Sequence, residues 1–316
     1  MAAGASPNLK QRTLLVAGMA IGIVAVMVLG QVWQTYDSSV AAARRDVQQF
    51  TQIIEANTDI TFQSVTLVLD RAIDATRERR GGVTPDDIMA ERFINMADNW
   101  ALINSVIFIN AAGVGHGGVV RGADDRLHPV GAPLDAAQHP IYLFHRDANA
   151  EIRAFFITRP QRDLVSPRRL IGVTRALTDE KGAFGGVYIV TIALNAFTKV
   201  YADLLPSRYE AVDLIRRDGA LLASTNPARA RELTDNEKLL IKDIVPAARV
   251  GVYRVTTGDD NSGDLLSYRA LQRYPIVIAV TADWYQFTEK WREASLALIV
   301  SALSGALVIC ALTWWL

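Results

Sequence analysis

Five arginines lie close together in the middle of the chain, and this cationic cluster is a candidate site for binding an anion. They occur within the stretch "ITRPQRDLVSPRRLIGVTRALTD": Arg159, Arg162, Arg168, Arg169 and Arg175. Arg159 follows Ile157 by two positions, and Arg175 follows Val173 in the same way. Residues i and i+2 share a face of a β-strand, so these two arginines can line an apolar pocket. A planar guanidinium there suits a carboxylate.

The same spacing also allows a structural interpretation. Arg159 and Arg175 could lie on a solvated face, or they could pair with Asp163 or Asp179. A buried arginine is costly unless it is paired, so either arrangement satisfies the chemistry. The residue pattern alone leaves the two interpretations open.

Catalytic and metal chemistry have no matching pattern in this sequence. It contains no G-x-S-x-G, P-loop or H-E-x-x-H motif, and its four histidines lack metal-ligand spacing on one helix. Its one cysteine, Cys310, lies in an apolar run, which excludes zinc ribbons and cysteine nucleophiles from the polar part of the chain. We expect no enzyme activity, no metal and no cofactor in this chain.

The charge balance argues against nucleic-acid binding. The 316 residues carry 33 basic and 33 acidic side chains, whereas nucleic-acid-binding proteins usually have a basic excess. Apolar residues concentrate at the two ends of the chain, so the middle can form a water-soluble domain.

Two uncharged apolar runs are long enough to cross a bilayer, Leu14 to Trp33 and Ala294 to Leu316. Lys10 and Arg12 precede the first run, which predicts a cytoplasmic N-terminus. The alternatives are a cleaved signal peptide for the first run and a buried core helix for the second. We expect a two-pass membrane protein with residues 34–293 outside the cytoplasm.

The segment after the first span is predicted to continue as one long stalk helix over residues 34–82. Val40, Val47 and Ile54 recur at intervals of seven and begin an apolar stripe, which must be buried against something. The stripe predicts packing on the chain's own domain, pairing with a second copy in a homodimer, or both along different turns.

The remaining segments predict an α+β fold with antiparallel sheets, because neighbouring β-type runs are joined by short turns. Thr84 is a predicted N-cap of a helix that ends near Asn99, and Asn195 is a possible N-cap of a second helix. The glycine-rich stretch 113–118 is interpreted as a flexible hairpin, and Asp218-Gly219 as a hairpin turn.

The segment "RALTDEKGAFGGVYIVTIALNAFTKVYADL" resembles the double Cache (PAS-like) extracytoplasmic sensor domains of bacterial receptors. The matching positions of the first module are Arg159-Pro160, Arg175, Asp179, Gly182, Phe184, Gly186, Val187, Leu194, Phe197 and Tyr201. The stretch from Leu214 to Ala223 matches in the second module, and the two framing spans match as well. The details are most similar to domains that precede diguanylate cyclases and histidine kinases. The resemblance implies that the membrane is the bacterial inner membrane and that residues 34–293 lie in the periplasm.

The resemblance implies ligand sensing, with a small polar ligand such as an amino acid or a carboxylate in the membrane-distal module. Amino-acid-binding members carry an R-x-W-Y segment, of which Tyr142 remains here, while His139 and Ile141 replace the Arg and the Trp. By this resemblance Asp163 would hold an ammonium group, Arg159 or Arg175 a carboxylate, and His145 would lie on the pocket-side helix. The candidate ligand residues are Tyr142, His145, Arg159, Asp163, Arg175 and Asp179.

These interpretations together predict the following organisation: a cytoplasmic N-terminus (1–13), a first span (14–33), a stalk helix (34–82), a distal module (83–205), a proximal module (206–284) and a helix that enters the second span (285–316). A cytoplasmic output module is expected after Leu316. The predicted function is a sensor whose ligand changes the arrangement of the membrane helices. The alternative is a ligand-independent dimerisation or protein-partner module.

Overall fold

The described part of the chain is a mixed α+β structure that begins and ends with a long helix, as the sequence predicts. The computed structural model describes residues 9–77, 93–95, 102–131, 133–147, 155–162, 164, 169–178, 182–226, 235–256 and 263–315. The main helices are α1 (Leu9–Arg77), α2 (Pro140–Asp147), α3 (Leu194–Leu204), α4 (Asp235–Leu239), α5 (Val245–Ala247) and α6 (Trp284–Trp315). A π-helical segment, Leu240–Ile244, joins α4 to α5.

The first sheet contains eight strands among the described residues. They are β1 (Ile103–Asn110), β2 (Val114–Arg121), β3 (Leu127–Pro129), β4 (Leu134–Asp135), β5 (Phe156–Ile157), β6 (Gln161–Arg162), β7 (Arg169–Thr178) and β8 (Phe184–Ala193). Their order is β3-β2-β1-β8-β7-β5, with β4 paired to β2 and β6 to β7, and the pairs are antiparallel. The apolar strands β1 and β8 lie at the centre, where Val187 and Ile189 are buried.

Gly186 is required where β8 begins to pair with β1. Its φ of +139° is a conformation that L side chains rarely adopt, and it pairs with Asn110. A Cβ at this position would overlap the carbonyl oxygen of Ile109 and the ring of Phe108. The glycine therefore lets the two central strands approach each other.

The glycine-rich stretch belongs to a hairpin, as the sequence predicts: Gly113 lies in the turn after β1, and residues 114–118 are part of β2, which pairs antiparallel with β1. One local prediction in this region is wrong. Asn195 is not an N-cap, because α3 begins one residue earlier and its N-cap position is Ala193. The predicted helix that begins at Thr84 lies mostly outside the described residues.

The second sheet contains five strands among the described residues: β9 (Tyr209–Arg216), β10 (Leu221–Ser224), β11 (Val250–Thr256), β12 (Gly263–Ala270) and β13 (Ile276–Asp283). Their order is β10-β9-β13-β12-β11. The turn between β9 and β10 contains Asp218 and Gly219, and the φ of Gly219 is +85°. The predicted hairpin at this position is thereby confirmed.

Helix α1 is one continuous helix that includes the predicted first span and most of the predicted stalk. Val47 and Ile54 of the predicted stripe are fully buried within this chain. A second row of apolar residues, again spaced by seven, is instead exposed to solvent: Ile53, Ile60 and Leu67. The expectation that Val47 and Ile54 are available to a second copy is therefore wrong, because packing on the chain's own domain already covers them.

The chain divides into two compact units. One comprises Met1–Gln48, Arg254–Leu265 and Ala282–Leu316, and the other comprises Gln49–Tyr253 and Leu266–Thr281. Both predicted sensor modules contribute most of their residues to the second unit. Their boundaries at 83, 205 and 284 stay predictions.

Two helices are long and apolar enough to cross a membrane by length and composition. They are the region Leu14–Asp74 of α1 and the whole of α6, and their most apolar windows are entirely unburied. Within the first compact unit the indole Nε1–H of Trp291 donates to the Val32 carbonyl oxygen at 3.2 Å. The ring of Trp291 also packs edge-on against Tyr36, with 4.9 Å between the ring centroids.

Candidate ligand-binding site

Helix α2 places Tyr142 and His145 against the first sheet. Its apolar face buries Ile141, Tyr142 and His145, while its last turn exposes Arg146. The Tyr142 hydroxyl donates a hydrogen bond of 2.7 Å to the carbonyl oxygen of Ala111. This bond anchors one end of α2 to the turn after β1.

His145 is fully buried and is bonded to the sheet. Its Nε2 lies 2.6 Å from Oγ1 of Thr174 on β7, and that hydroxyl donates in turn to the carbonyl oxygen of Phe156 on β5 at 3.2 Å. A hydroxyl has one hydrogen, so Thr174 must accept from His145 and Nε2 must carry a hydrogen. This chain of bonds fixes the orientation of the imidazole ring and joins α2, β7 and β5.

Aromatic side chains surround the buried face of α2. The rings of Phe144 and Phe156 lie 4.2 Å apart between centroids, and the rings of Tyr142 and Phe184 lie 5.8 Å apart. Leu143 and Phe184 are only partly buried, so this apolar region reaches the surface. Two of the six candidate ligand residues, Tyr142 and His145, lie in this region.

The side chains of Tyr142, Phe144, His145, Phe156 and Phe184 together are called the α2 cluster. Arg175 lies on the opposite face of β7 from this cluster. Thr174 and Arg175 are adjacent on the strand, and successive side chains of a strand point to opposite faces. The Arg175 guanidinium forms an ion pair with Asp70 of helix α1. The structure does not bring Arg175 together with Tyr142 and His145, and its carboxylate partner among the described residues is Asp70.

Arg159 is also separate from the α2 cluster. The sequence predicts that Arg159 belongs to the same strand as Ile157, but β5 ends at Ile157 and Arg159 lies beyond it, with 68% of its side chain exposed. Its Nη2 lies 3.2 Å from Oδ2 of Asp218 in the β9–β10 turn. Asp163 and Asp179 lie outside the described residues, so their roles stay predictions.

Asp218 and Arg216 form a contact that sequence reasoning missed. The Arg216 guanidinium binds both carboxylate oxygens of Asp218, at 2.8 and 2.6 Å, and also donates to the Ile157 carbonyl oxygen. It lies over the ring of Phe156, 5.1 Å from the centroid. Arg216 two residues before Asp218 was the available signal for their ion pair, but the Ile157 carbonyl that Arg216 also binds is 59 residues away in sequence.

An open cleft of about 640 Å³ lies on the face of β7 that carries Arg175. Its lining is mixed, with two arginines, one carboxylate, three uncharged polar side chains, two aromatic rings and one leucine. The lining residues are Gln63, Ser64, Thr66, Leu67, Asp70, Phe155, Arg175, Arg273 and Tyr274. In the part of the chain that the structure describes, no group of three or more His, Cys, Asp or Glu side chains could hold a metal ion.

Comparison with solved structures identifies the fold. The extracellular domain of the predicted histidine kinase rpHK1S-Z16 is 23% identical, with a TM-score of 0.62 over 78% of this chain and 95% of its own. The periplasmic sensory domain of the Campylobacter jejuni chemoreceptor Tlp1 is 14% identical, with a TM-score of 0.61 over 79% of this chain and 98% of its own. The chain has the double Cache fold.

A third solved structure with this fold contains a ligand. The ligand-binding domain of the Pseudomonas fluorescens chemoreceptor CtaA, solved in complex with L-isoleucine, is 11% identical, with a TM-score of 0.57 over 81% of this chain and 98% of its own. These similar structures are sensor domains and not catalytic domains. No protein-family model matches the sequence of this chain, and no curated protein matches it.

Asp218 predicts a specific dependence of stability on pH. The Arg216 guanidinium holds the pKa of the Asp218 carboxyl well below its usual range, with further contributions from the Ala220 amide and Arg159. A carboxyl whose pKa is lower in the folded than in the unfolded protein stabilises the fold fully above the unfolded pKa of about 3.9. That contribution is lost as the pH falls through the folded pKa.

Acidification from pH 6 to pH 3 should therefore lower the Tm of the natural protein more than that of an Asp218→Asn variant. Thermal unfolding of the full chain in detergent measures both values. Asp203→Asn, which changes an exposed carboxylate on α3, is the matched control. Its Tm should fall between pH 6 and pH 3 by as much as that of the natural protein. Equal decreases in Asp218→Asn and the natural protein would contradict a role for this ion pair.

Proposed function

We propose that this chain is the ligand-sensing region of a two-pass membrane receptor. The observation that carries the proposal is a double Cache fold over about four-fifths of the chain, framed by two helices that can cross a membrane. Ligand binding in the distal module would shift the membrane helices and thereby control a cytoplasmic output. We expect this sensing region to have no enzyme activity of its own. A ligand must bind the two arrangements unequally for such a shift to signal.

The ends of the candidate spans support a membrane location. Trp33 and Tyr285 are 75% and 63% exposed, and Trp314 and Trp315 at the other end of α6 are also exposed. Aromatic side chains of this kind are enriched at membrane–water interfaces. Together with Lys10 and Arg12 before the first span, they favour an inner-membrane protein whose body lies in the periplasm.

The α2 cluster is the proposed site for a small polar ligand of the carboxylate or amino-acid type. Tyr142 and His145 form its inner wall, and Phe184 reaches from that wall to the surface. Asp163 and Asp179 remain candidates for contacts with the ligand's charged groups. The L-isoleucine complex of a protein with this fold supports the ligand class.

We propose that two copies of the chain form a parallel homodimer through the face of α1 that carries Ile53, Ile60 and Leu67. Each is at least 47% exposed, and the interval of seven residues is that of a coiled-coil seam. The exposed row also favours the second candidate function, a dimerisation module that binds no ligand. The ligand experiment below distinguishes the two functions.

The first prediction concerns topology. Alkaline phosphatase fused after residue 258 should be active in cells, because the chain is then outside the cytoplasm after one crossing. A fusion after residue 12, before the first span, should be inactive and serves as the control. Activity of the second fusion with inactivity of the first would reverse the proposed orientation.

The second prediction concerns ligand binding by the full chain in detergent. In a panel of L-amino acids and small carboxylates, at least one compound should raise the Tm, since a ligand at 100 times its Kd adds about 2.7 kcal/mol of stability. His145→Gln should reduce that shift by disturbing the wall that Thr174 orients. His128→Gln, at a half-exposed histidine that pairs with Asp124, should retain the shift. A panel without any shift would favour the ligand-independent module.

The third prediction concerns the dimer. In a Cys310→Ser background, cysteines at position 53, 60 or 67 should crosslink between copies in native membranes, because the three positions share one exposed face. Ile54→Cys is the matched control, because Ile54 lies one residue away and is fully buried. Crosslinking at 54 but at none of the other three positions would contradict the proposed seam.

A further inference from the structure

The cleft beside Arg175 is separate from the proposed ligand site, because Thr174 and Arg175 point to opposite faces of β7. One of its walls is helix α1, through Gln63, Thr66 and Asp70. The other wall consists of β7, the segment before β5 and the β12–β13 turn, through Arg175, Phe155 and Tyr274. A molecule in this cleft would therefore touch α1 and both sheet regions at once.

The charges of the cleft favour an anion. Asp70 neutralises Arg175 through their ion pair. Arg273 is exposed at the cleft and has no ion-pair partner within 4 Å among the residues that the structure describes. The lining therefore carries one surplus positive charge on a guanidinium, whose fork of donors matches a carboxylate.

The aromatic wall favours an apolar body on that anion. The rings of Phe155 and Tyr274 lie 5.4 Å apart between centroids and form one continuous surface. The Tyr274 hydroxyl lies 3.2 Å from Oγ1 of Thr66, which itself donates to the Phe62 carbonyl oxygen at 2.8 Å. Tyr274 must therefore donate to Thr66, so its hydroxyl hydrogen is used by the wall. Its ring is mostly buried and also packs against Phe62, so a ligand would contact only the part of the ring that lines the cleft.

We propose that this cleft is a second binding site, which takes a small organic monocarboxylate between helix α1 and the sheet regions. Arg273 binds the carboxylate, the rings of Phe155 and Tyr274 contact the apolar body, and Gln63 and Ser64 supply neutral hydrogen-bonding groups. Occupation of the site links α1 to the β12–β13 turn. Where the proposed sensor function holds, this ligand acts on the position of α1 from a site separate from that of the ligand at α2.

The binding test uses 4-fluorobenzoate as the probe and the full chain in lipid nanodiscs. Its ¹⁹F resonance should broaden and shift saturably on addition of the protein. The neutral isostere 4-fluorobenzamide should bind at least about tenfold more weakly, because it cannot form the charge-assisted contact. Arg273→Gln should weaken 4-fluorobenzoate by a similar factor, while Arg126→Gln, at an exposed arginine in the β2–β3 turn, should leave it unchanged.

Three results would overturn the proposal. One is the absence of saturable binding up to about 10 mM probe, because a Kd above that concentration is too weak for a functional site. Another is equal affinity in Arg273→Gln and the natural protein. The third is loss of probe binding in His145→Gln with no loss in Arg273→Gln, which would assign the probe to the α2 site and leave the sensor function standing. Conversely, a failed topology prediction would leave this binding test intact.

Discussion

The burial of helix α1 along both sheet regions is the constraint on which the rest of the structure depends. Three hydroxyl contacts, each about two turns from the next, hold the helix: Thr51 to Ser267 at 2.8 Å, Thr58 to Tyr201 at 2.6 Å and Thr66 to Tyr274 at 3.2 Å. Along the same part of the helix, α1 buries an apolar face that includes Ile54, Phe62 and Leu69. Burial also raises the pKa of Tyr201 to about 12, so this phenol stays protonated and keeps its bond to Thr58 at any physiological pH.

Strand β7 has interacting polar side chains on both faces, which explains why the predicted ligand residues do not all lie together. Thr174 belongs to the hydrogen-bond chain that begins at His145, and Arg175 belongs to the ion pair with α1. The backbone of β7 thus lies between the α2 cluster and the cleft beside Arg175. A displacement of β7 that improves contacts on one face must alter distances on the other, because strand and side chains move together.

The sequence predicts the elements of this fold well, because their signals are local. The apolar runs of β1, β7 and β8 and the Asp218-Gly219 turn each depend on neighbouring residues, and they form where expected. The partners of the arginines could not be predicted, because Asp70 is 105 residues from Arg175 and Asp218 is 59 residues from Arg159. Likewise, two apolar rows one residue apart run along α1, and spacing alone cannot tell which row a sheet covers. That choice requires the tertiary structure.

The contacts of α1 also constrain the order in which the protein can fold. Thr51 and its partner Ser267 are 216 residues apart, and Thr66 and Tyr274 are 208 apart. At a synthesis rate of 5–20 residues per second, the helix emerges about 10 to 40 s before the strands that cover it. The part of its apolar face that β12 and β13 cover must stay exposed, or be held by another protein, throughout that interval. The stalk is thus made first and buried last, and the time at which β12 and β13 appear decides when the native core can close.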